Sequence, residues 1–254
     1  MGTYINPGND GFKRIIGEEY VDKTGLIALL NASIGTLNNL VCVSRPRRFG
    51  KTLAAESLVA YHSCGCDSRN LFEGLEISRD PSFERHLNAY NLVRLDMTEV
   101  IQRGGTDVAP TVTRLLRPEI AAIAPSARTD GIITDALLDL VRSTNRKLVF
   151  VIDEWDAVFR SHRDDFVAQR DYVDFLRLLF KNASFTSEAV AACYMTGILP
   201  IKKYGTQSAL NDFREYTMVD PGRYAPYVGF SEAEVRALCD RHGLDFGLVR
   251  RWYD

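Results

Sequence analysis

The 254-residue sequence is short of several things that would have assigned it quickly. No apolar run approaches the roughly 18 residues needed to cross a bilayer, and "MGTYINPGNDGF" lacks the basic-then-apolar profile of a signal peptide. A cytoplasmic protein with no membrane partner is expected. There is no excess of charge of one sign: 31 Lys and Arg face 33 Asp and Glu, a formal net charge of -2. A globally basic nucleic-acid binder is therefore excluded, and any basic surface must be local, Arg45, Arg47 and Arg48 being the densest cluster. Only five cysteines and four histidines occur. Cys42 and Cys193 lie inside apolar runs and read as small core residues, whereas Cys64 and Cys66 in "SCGCDS" have poor zinc spacing and no second pair. No His/Cys metal cage is expected, and the thiols suit a reducing compartment. Repeats and low-complexity tracts are absent.

What is present is ordinary globular material, 46% hydrophobic and 25% charged, enough for one large α/β domain with a sizeable core. Short β-branched runs alternate with helical spacing, which predicts βαβ units around a parallel sheet. The candidate strands are Leu40 to Ser44, Leu92 to Met97, Lys147 to Glu154, Ala189 to Gly197 and Glu215 to Val219. Near-continuous apolarity in the third and fourth suits strands covered on both faces.

Helices fill the gaps. One is expected from Thr52 to His62, and one from Val108 to Ala124, interrupted by Pro110 and Pro118. "ITDALLDLVRST" puts Ile133, Leu137, Leu140 and Val141 on one stripe. "QRDYVDFLRLLFKN" puts Tyr172, Phe175, Leu176, Leu179 and Phe180 on another, a core face rather than a ligand box. After the break at "VDPGRYAP", Ser231 and Glu234 form a capping-box signature for a further helix. The expected organisation is a domain over 1–222 and the start of a helical appendage over 223–254. That appendage has little to pack on, which suggests a piece of a longer protein.

The chemistry-bearing stretch is "VSRPRRFGKT". It ends in Gly50-Lys51-Thr52 but carries Arg45 where G-x-x-x-x-G-K-[ST] has its first glycine. A strand-to-helix turn aims backbone N–H groups and the positive helix end at one point, which suits phosphate. Gly50 would admit close backbone approach, Lys51 would reach the β- and γ-phosphates, and Thr52 would join a Mg²⁺ shell. Arg47, Arg48, Phe49 and Leu53 complete the expected binding set. "LVFVIDEWD" ends a buried strand in two acids, where Asp153 would hold Mg²⁺ and Glu154 would act as general base. Thr196, closing the fourth strand, either orients the lytic water or merely turns the strand into a loop. Arg47, Arg48 and Arg214 are the candidate cations for the γ-phosphate, each with a surface or ion-pair role as the alternative.

In this order, "EEYVDKTGLI", "VSRPRRFGKT", "LFEGLEI", "VIDEWD" and "YMTGILPIKKYGTQSALNDFREYTM" closely resemble the bacterial AAA-ATPase-like family, and also the archaeal-type ATPases, whose loop reads G-P-R-R-x-G-K-T. In the family R-P-R-R-F-G-K-[ST] is the normal loop. The resemblance covers nearly the whole chain. It implies a P-loop fold with an additional strand and a conserved glutamate. The loop strand would be central, flanked by the sensor and Walker B strands. It implies ATP and Mg²⁺ as ligands at Lys51, Thr52, Asp153 and Glu154. Relatives continue into a PD-(D/E)XK nuclease-like domain, which would be the route to nucleic acid, and an arginine acting in trans would require a homo-oligomer. Two functions remain open: an ATPase working as a conformational switch, or a nucleotide-gated module regulating an attached effector with little or no turnover. Direct nucleic-acid contact through Arg45, Arg47 and Arg48 is a third.

Overall fold

The computed structural model describes residues 1–128, 130–201 and 210–252. Five strands form one sheet: β1 (Leu40–Ser44), β2 (Asn91–Asp96), β3 (Leu148–Asp153), β4 (Val190–Gly197) and β5 (Arg214–Tyr216). Their order is β2-β3-β4-β1-β5, and every neighbouring pair is parallel. All five expected strands are present. The last is shorter than expected and begins one residue earlier, because Thr217 N–H turns back to the Asp220 carbonyl. The expected neighbours of β1 need correction: β3, the acid-bearing strand, does not adjoin it. β4 lies between them, so the centre of the sheet is β4.

Strand periodicity distributes the core over two faces. Cys42, Phe150, Ile152, Cys193 and Met195 face the helices Met97–Gly104, Val108–Ile123, Ile133–Thr144, Phe166–Phe180 and Ala183–Ala189. Val41, Val43, Val149, Val151, Ala192 and Tyr194 face the helices Asp10–Ile16, Gly25–Asn31 and Lys51–His62. The expected stripes are buried, including Tyr172, Phe175, Leu176, Leu179 and Phe180. Each fully buried side chain of this size contributes on the order of 1.5–3 kcal/mol of transfer free energy. Cys42 and Cys193 are core residues, and all five thiols are free.

The helix Val108–Ile123 runs through both prolines. Pro110 falls in the first turn, where no backbone donor is needed, and Pro118 costs one bond in the interior. The next residue, Glu119, accepts from Thr3, Tyr4 and Ile5 N–H at 2.9, 2.9 and 2.7 Å. That carboxylate pins the N-terminal arm, whose Ile5 bridges antiparallel to Val93 and shields the open edge of β2. At the other end, Ser231 and Glu234 make the expected capping box on the helix Glu232–His242. Tyr224, ahead of it, is buried against Tyr216 and Tyr194. Among the described residues no helix is long and apolar enough to cross a membrane.

Candidate functional site

Strand parity brings the candidate residues together. Val149, Val151 and Asp153 share one face of β3, and Ala192, Tyr194 and Thr196 share the same face of β4. Ile152 is in register with Met195, so Asp153 and Thr196 emerge side by side at the carboxyl edge of the sheet. Both point toward the helix Lys51–His62, whose N-terminus follows β1 through the loop 45–50. Ligands of open α/β sheets bind at this edge.

The contacts follow. Asp153 is nearly buried and accepts from the Thr52 hydroxyl on Oδ2 at 2.7 Å. Its Oδ1 accepts from the Thr196 hydroxyl and, at 3.0 Å, from the Glu154 N–H. Gly50 caps the helix in the left-handed region with φ of +74°, a conformation that favours glycine. Arg48 is left-handed too, with φ of +70°. Lys51 is buried and folds onto its own loop, its Nζ donating to the Arg45 and Pro46 carbonyls at 3.1 and 2.9 Å. Burial pushes the Lys51 ammonium below its ordinary range, partly offset by the Glu154, Asp153 and Asp156 carboxylates. Its two acceptors are neutral carbonyls, so an anion entering the loop would offer it a stronger partner.

Arg45 is not part of a basic surface. Its side chain is 2% exposed, and Nη1 donates to the Ser44 and Tyr216 carbonyls at 3.0 Å each. Standing in the glycine position, it ties the loop to the end of β5 through those two carbonyls. This removes it from the expected cluster. Arg47 and Arg48 are exposed within the loop. The structure does not bring Arg214 to them: it opens β5 in register with Val41 and donates to Asn38 Oδ1 at 2.8 Å, at the opposite end of β1 from the loop.

Glu154 sits directly after β3 in the left-handed region, φ +53°, uncommon for a residue with a side chain. The surrounding turn is fastened on several sides. Trp155 N–H donates to the Thr196 carbonyl at 2.9 Å, and the Trp155 carbonyl accepts from the Tyr172 hydroxyl at 2.8 Å. Asp156, fully buried, accepts on Oδ2 from Ile198 and Leu199 N–H at 3.2 and 2.9 Å. Glu154 pairs with Arg160 on the helix Ala157–Ser161. Burial raises the Glu154 carboxyl above its ordinary value, with Asp153 adding to the rise while Arg160 and Lys51 oppose it.

Beside the loop lies a cleft of about 210 Å³ whose walls include Tyr20, Val21, Phe49, Leu53, Tyr227 and Phe230. Phe49 and Leu53 are thus next to Gly50 and also wall an apolar recess. The segment at Tyr20 and the approach to the capped helix at Phe230 close it from two sides. Lys23 holds those sides together, bonding Glu234 at 2.5 Å and the Pro226 carbonyl at 2.7 Å. The hard-oxygen set of Thr52 and Asp153 fits Mg²⁺, which usually takes one or two protein oxygens and completes its shell with water and phosphate. Among the described residues no group of three His, Cys, Asp or Glu side chains offers a protein-only cage.

Sequence reasoning missed Asp156, Arg160, Tyr20 and Phe230. Asp156 was visible as the last acid of "DEWD", and Arg160 follows it by one helical turn. Nothing local marks Tyr20 or Phe230 as neighbours of Phe49. Part of the stretch "YMTGILPIKKYGTQSALNDFREYTM", residues 202–209, lies outside the described residues.

Comparison with known proteins gives a family. A family model described as AAA-ATPase-like, predicted AAA-ATPase, matches residues 7–206. A curated relative from Azotobacter chroococcum mcd 1, an uncharacterized protein in the vnfD 5' region, is 26% identical over 240 residues, covering 92% of this chain and 44% of the relative. The chain therefore spans less than half of that relative's length. Among solved structures, the Aeropyrum pernix ORC2 protein in its ADPNP-ADP complexes aligns with a TM-score of 0.48 at 13% identity, over 90% of this chain and 55% of that one. Because the family model reaches across most of the sequence, this chain belongs to the AAA-ATPase-like family of predicted AAA-ATPases.

Proposed function

We propose that the chain binds Mg·ATP at the loop 45–52 and hydrolyses it, using the cycle as a conformational switch. The observation that carries this is the meeting of the Thr52 and Thr196 hydroxyls on one Asp153 carboxylate, at the N-terminus of the helix that follows the loop. In this reading the triphosphate lies against Gly50, Lys51 and the helix N-terminus, and the base enters the cleft between Phe49, Leu53 and Tyr20. Mg²⁺, held by Thr52 and Asp153, would offset charge on the phosphate oxygens. Lys51 trades its loop carbonyls for the phosphates. Glu154 accepts the proton of the attacking water, Thr196 orients that water, and exposed Arg47 or Arg48 faces the developing charge.

The test is phosphate release by the purified chain with Mg·ATP, alongside fluorescent-nucleotide binding. Saturable binding that Lys51→Ala weakens, with turnover above that of Glu154→Gln, is the expected result. Nucleotide affinity unchanged in Lys51→Ala would remove the basis of the reading.

A second reading is a nucleotide-gated binding module. It is favoured by the engagement of Lys51 by loop carbonyls and of Glu154 by Arg160, which leaves both charges occupied. Binding without turnover above Glu154→Gln would select it.

A further inference from the structure

We propose that Arg160 is the positioning residue for Glu154, and that buried Asp156 anchors it, so that the orientation of Glu154 is tied to the backbone leaving β4. This deepens the hydrolysis reading and rests on it. The helix Ala157–Ser161 begins immediately after the acids, and Arg160 stands one turn beyond Asp156. Its Nε donates to Asp156 Oδ2 at 3.1 Å, and its Nη2 bonds Glu154 Oε2. Asp156 Oδ2 is held in turn by the Ile198 and Leu199 N–H groups, the first two residues beyond Gly197.

The backbone of the turn is already fixed through Trp155, which bonds Thr196 and Tyr172. What that leaves free is the glutamate side chain, three rotatable bonds long. A general base must meet water within hydrogen-bond reach, and a rotamer-free carboxylate is seldom there. Arg160 removes that freedom by gripping one oxygen, Oε2, and leaving Oε1 to accept a proton. The fork geometry of guanidinium allows it to bridge two carboxylates at once, which the single ammonium of lysine does less well. Gly197 belongs to the same assembly: a Cβ there would lie 2.5 Å from the Trp155 ring and 2.8 Å from Asp156 Oδ1. Any displacement of residues 198–199 is thereby transmitted through Asp156 and Arg160 to Glu154.

The experiment compares wild type with Arg160→Ala, Arg160→Lys and Asp156→Asn for kcat, KM and affinity for a non-hydrolysable ATP analogue, each checked for folding by thermal unfolding. Arg160→Ala should lower kcat by about tenfold or more. KM and analogue affinity should stay within about threefold, because ground-state contacts are untouched. Arg160→Lys should recover part of the loss, and Asp156→Asn should reproduce it without touching Glu154. An unchanged or raised kcat in folded Arg160→Ala overturns the proposal.

If wild type turns over no faster than Glu154→Gln, the hydrolysis reading fails. The coupling is then decided by a double-mutant cycle between Glu154→Gln and Arg160→Ala in nucleotide-free unfolding, in the wild-type and Asp156→Asn backgrounds. A coupling weakened at least about twofold in Asp156→Asn supports the anchor, and equal coupling in both backgrounds overturns it.

Discussion

The Thr52 hydroxyl donates a 2.7 Å hydrogen bond to Asp153, joining the helix that follows β1 to the end of β3 across the intervening β4. Two segments a hundred residues apart thus meet through one short contact. The same pair is the hard-oxygen set available to a cation.

Replacing either partner should therefore make nucleotide binding insensitive to the metal. Thr52→Ala and Asp153→Asn are expected to lose about tenfold or more in Mg·ATP affinity, about 1.4 kcal/mol. The difference from wild type should shrink when EDTA replaces Mg²⁺. Thr52→Ser, which keeps the hydroxyl, should bind nearly as wild type. A titration of fluorescent ATP with and without Mg²⁺ gives both numbers.

Lys51 should show opposite effects with and without nucleotide. A buried ammonium resting on two carbonyls is expensive to desolvate, so Lys51→Met should leave the nucleotide-free protein as stable as wild type or more so. The thermal shift that ATP produces in wild type should disappear in the same variant. Differential scanning fluorimetry with and without Mg·ATP tests both signs.

His62 should make the protein acid-labile. It is fully buried between the Leu58 carbonyl and Asn31, and burial lowers its pKa from 6.5 to about 3. An imidazole with a depressed folded pKa binds fewer protons folded than unfolded. Its cost to stability is therefore absent above about 6.5, and grows as pH falls from there toward about 3. Between pH 7 and pH 5 the loss from this group is about 2 kcal/mol. Urea unfolding at the two pH values should show a smaller loss in His62→Gln.

Glu119 should control the N-terminal arm. Three N–H groups converge on its carboxylate, and Glu119→Ala leaves them without that acceptor. A stability loss of about 1–3 kcal/mol is expected. Hydrogen exchange should rise at residues 3–5 and along β2, whose edge the arm covers, while the loop 45–50 keeps its wild-type exchange.

Much of the molecule is legible in the sequence. Leu148 to Ile152 is apolar at every position because both faces of the strand are covered, and the helical stripes ending in Leu179 and Phe180 could only face a core. The family motifs singled out Lys51, Thr52, Asp153 and Glu154 as the residues expected to meet a nucleotide. Local spacing carries such information because strand and helix periods are set by the backbone. Arg45 was not legible in this way: in the sequence it neighbours Arg47 and looks like surface charge, yet it is buried on the carbonyls of Ser44 and Tyr216.

By itself, then, the sequence determined the five strands, the stripes that bury them, and the loop and acid pair at which a nucleotide is expected. Those features depend on residues within a few positions of one another. The tertiary structure alone decided that β4 separates β1 from β3, that Arg214 lies at the far end of the sheet, and that Asp156 meets the Ile198 and Leu199 N–H groups beyond β4. Strand order and long-range pairing depend on which surfaces fit after the chain has crossed over, and no local pattern records that choice.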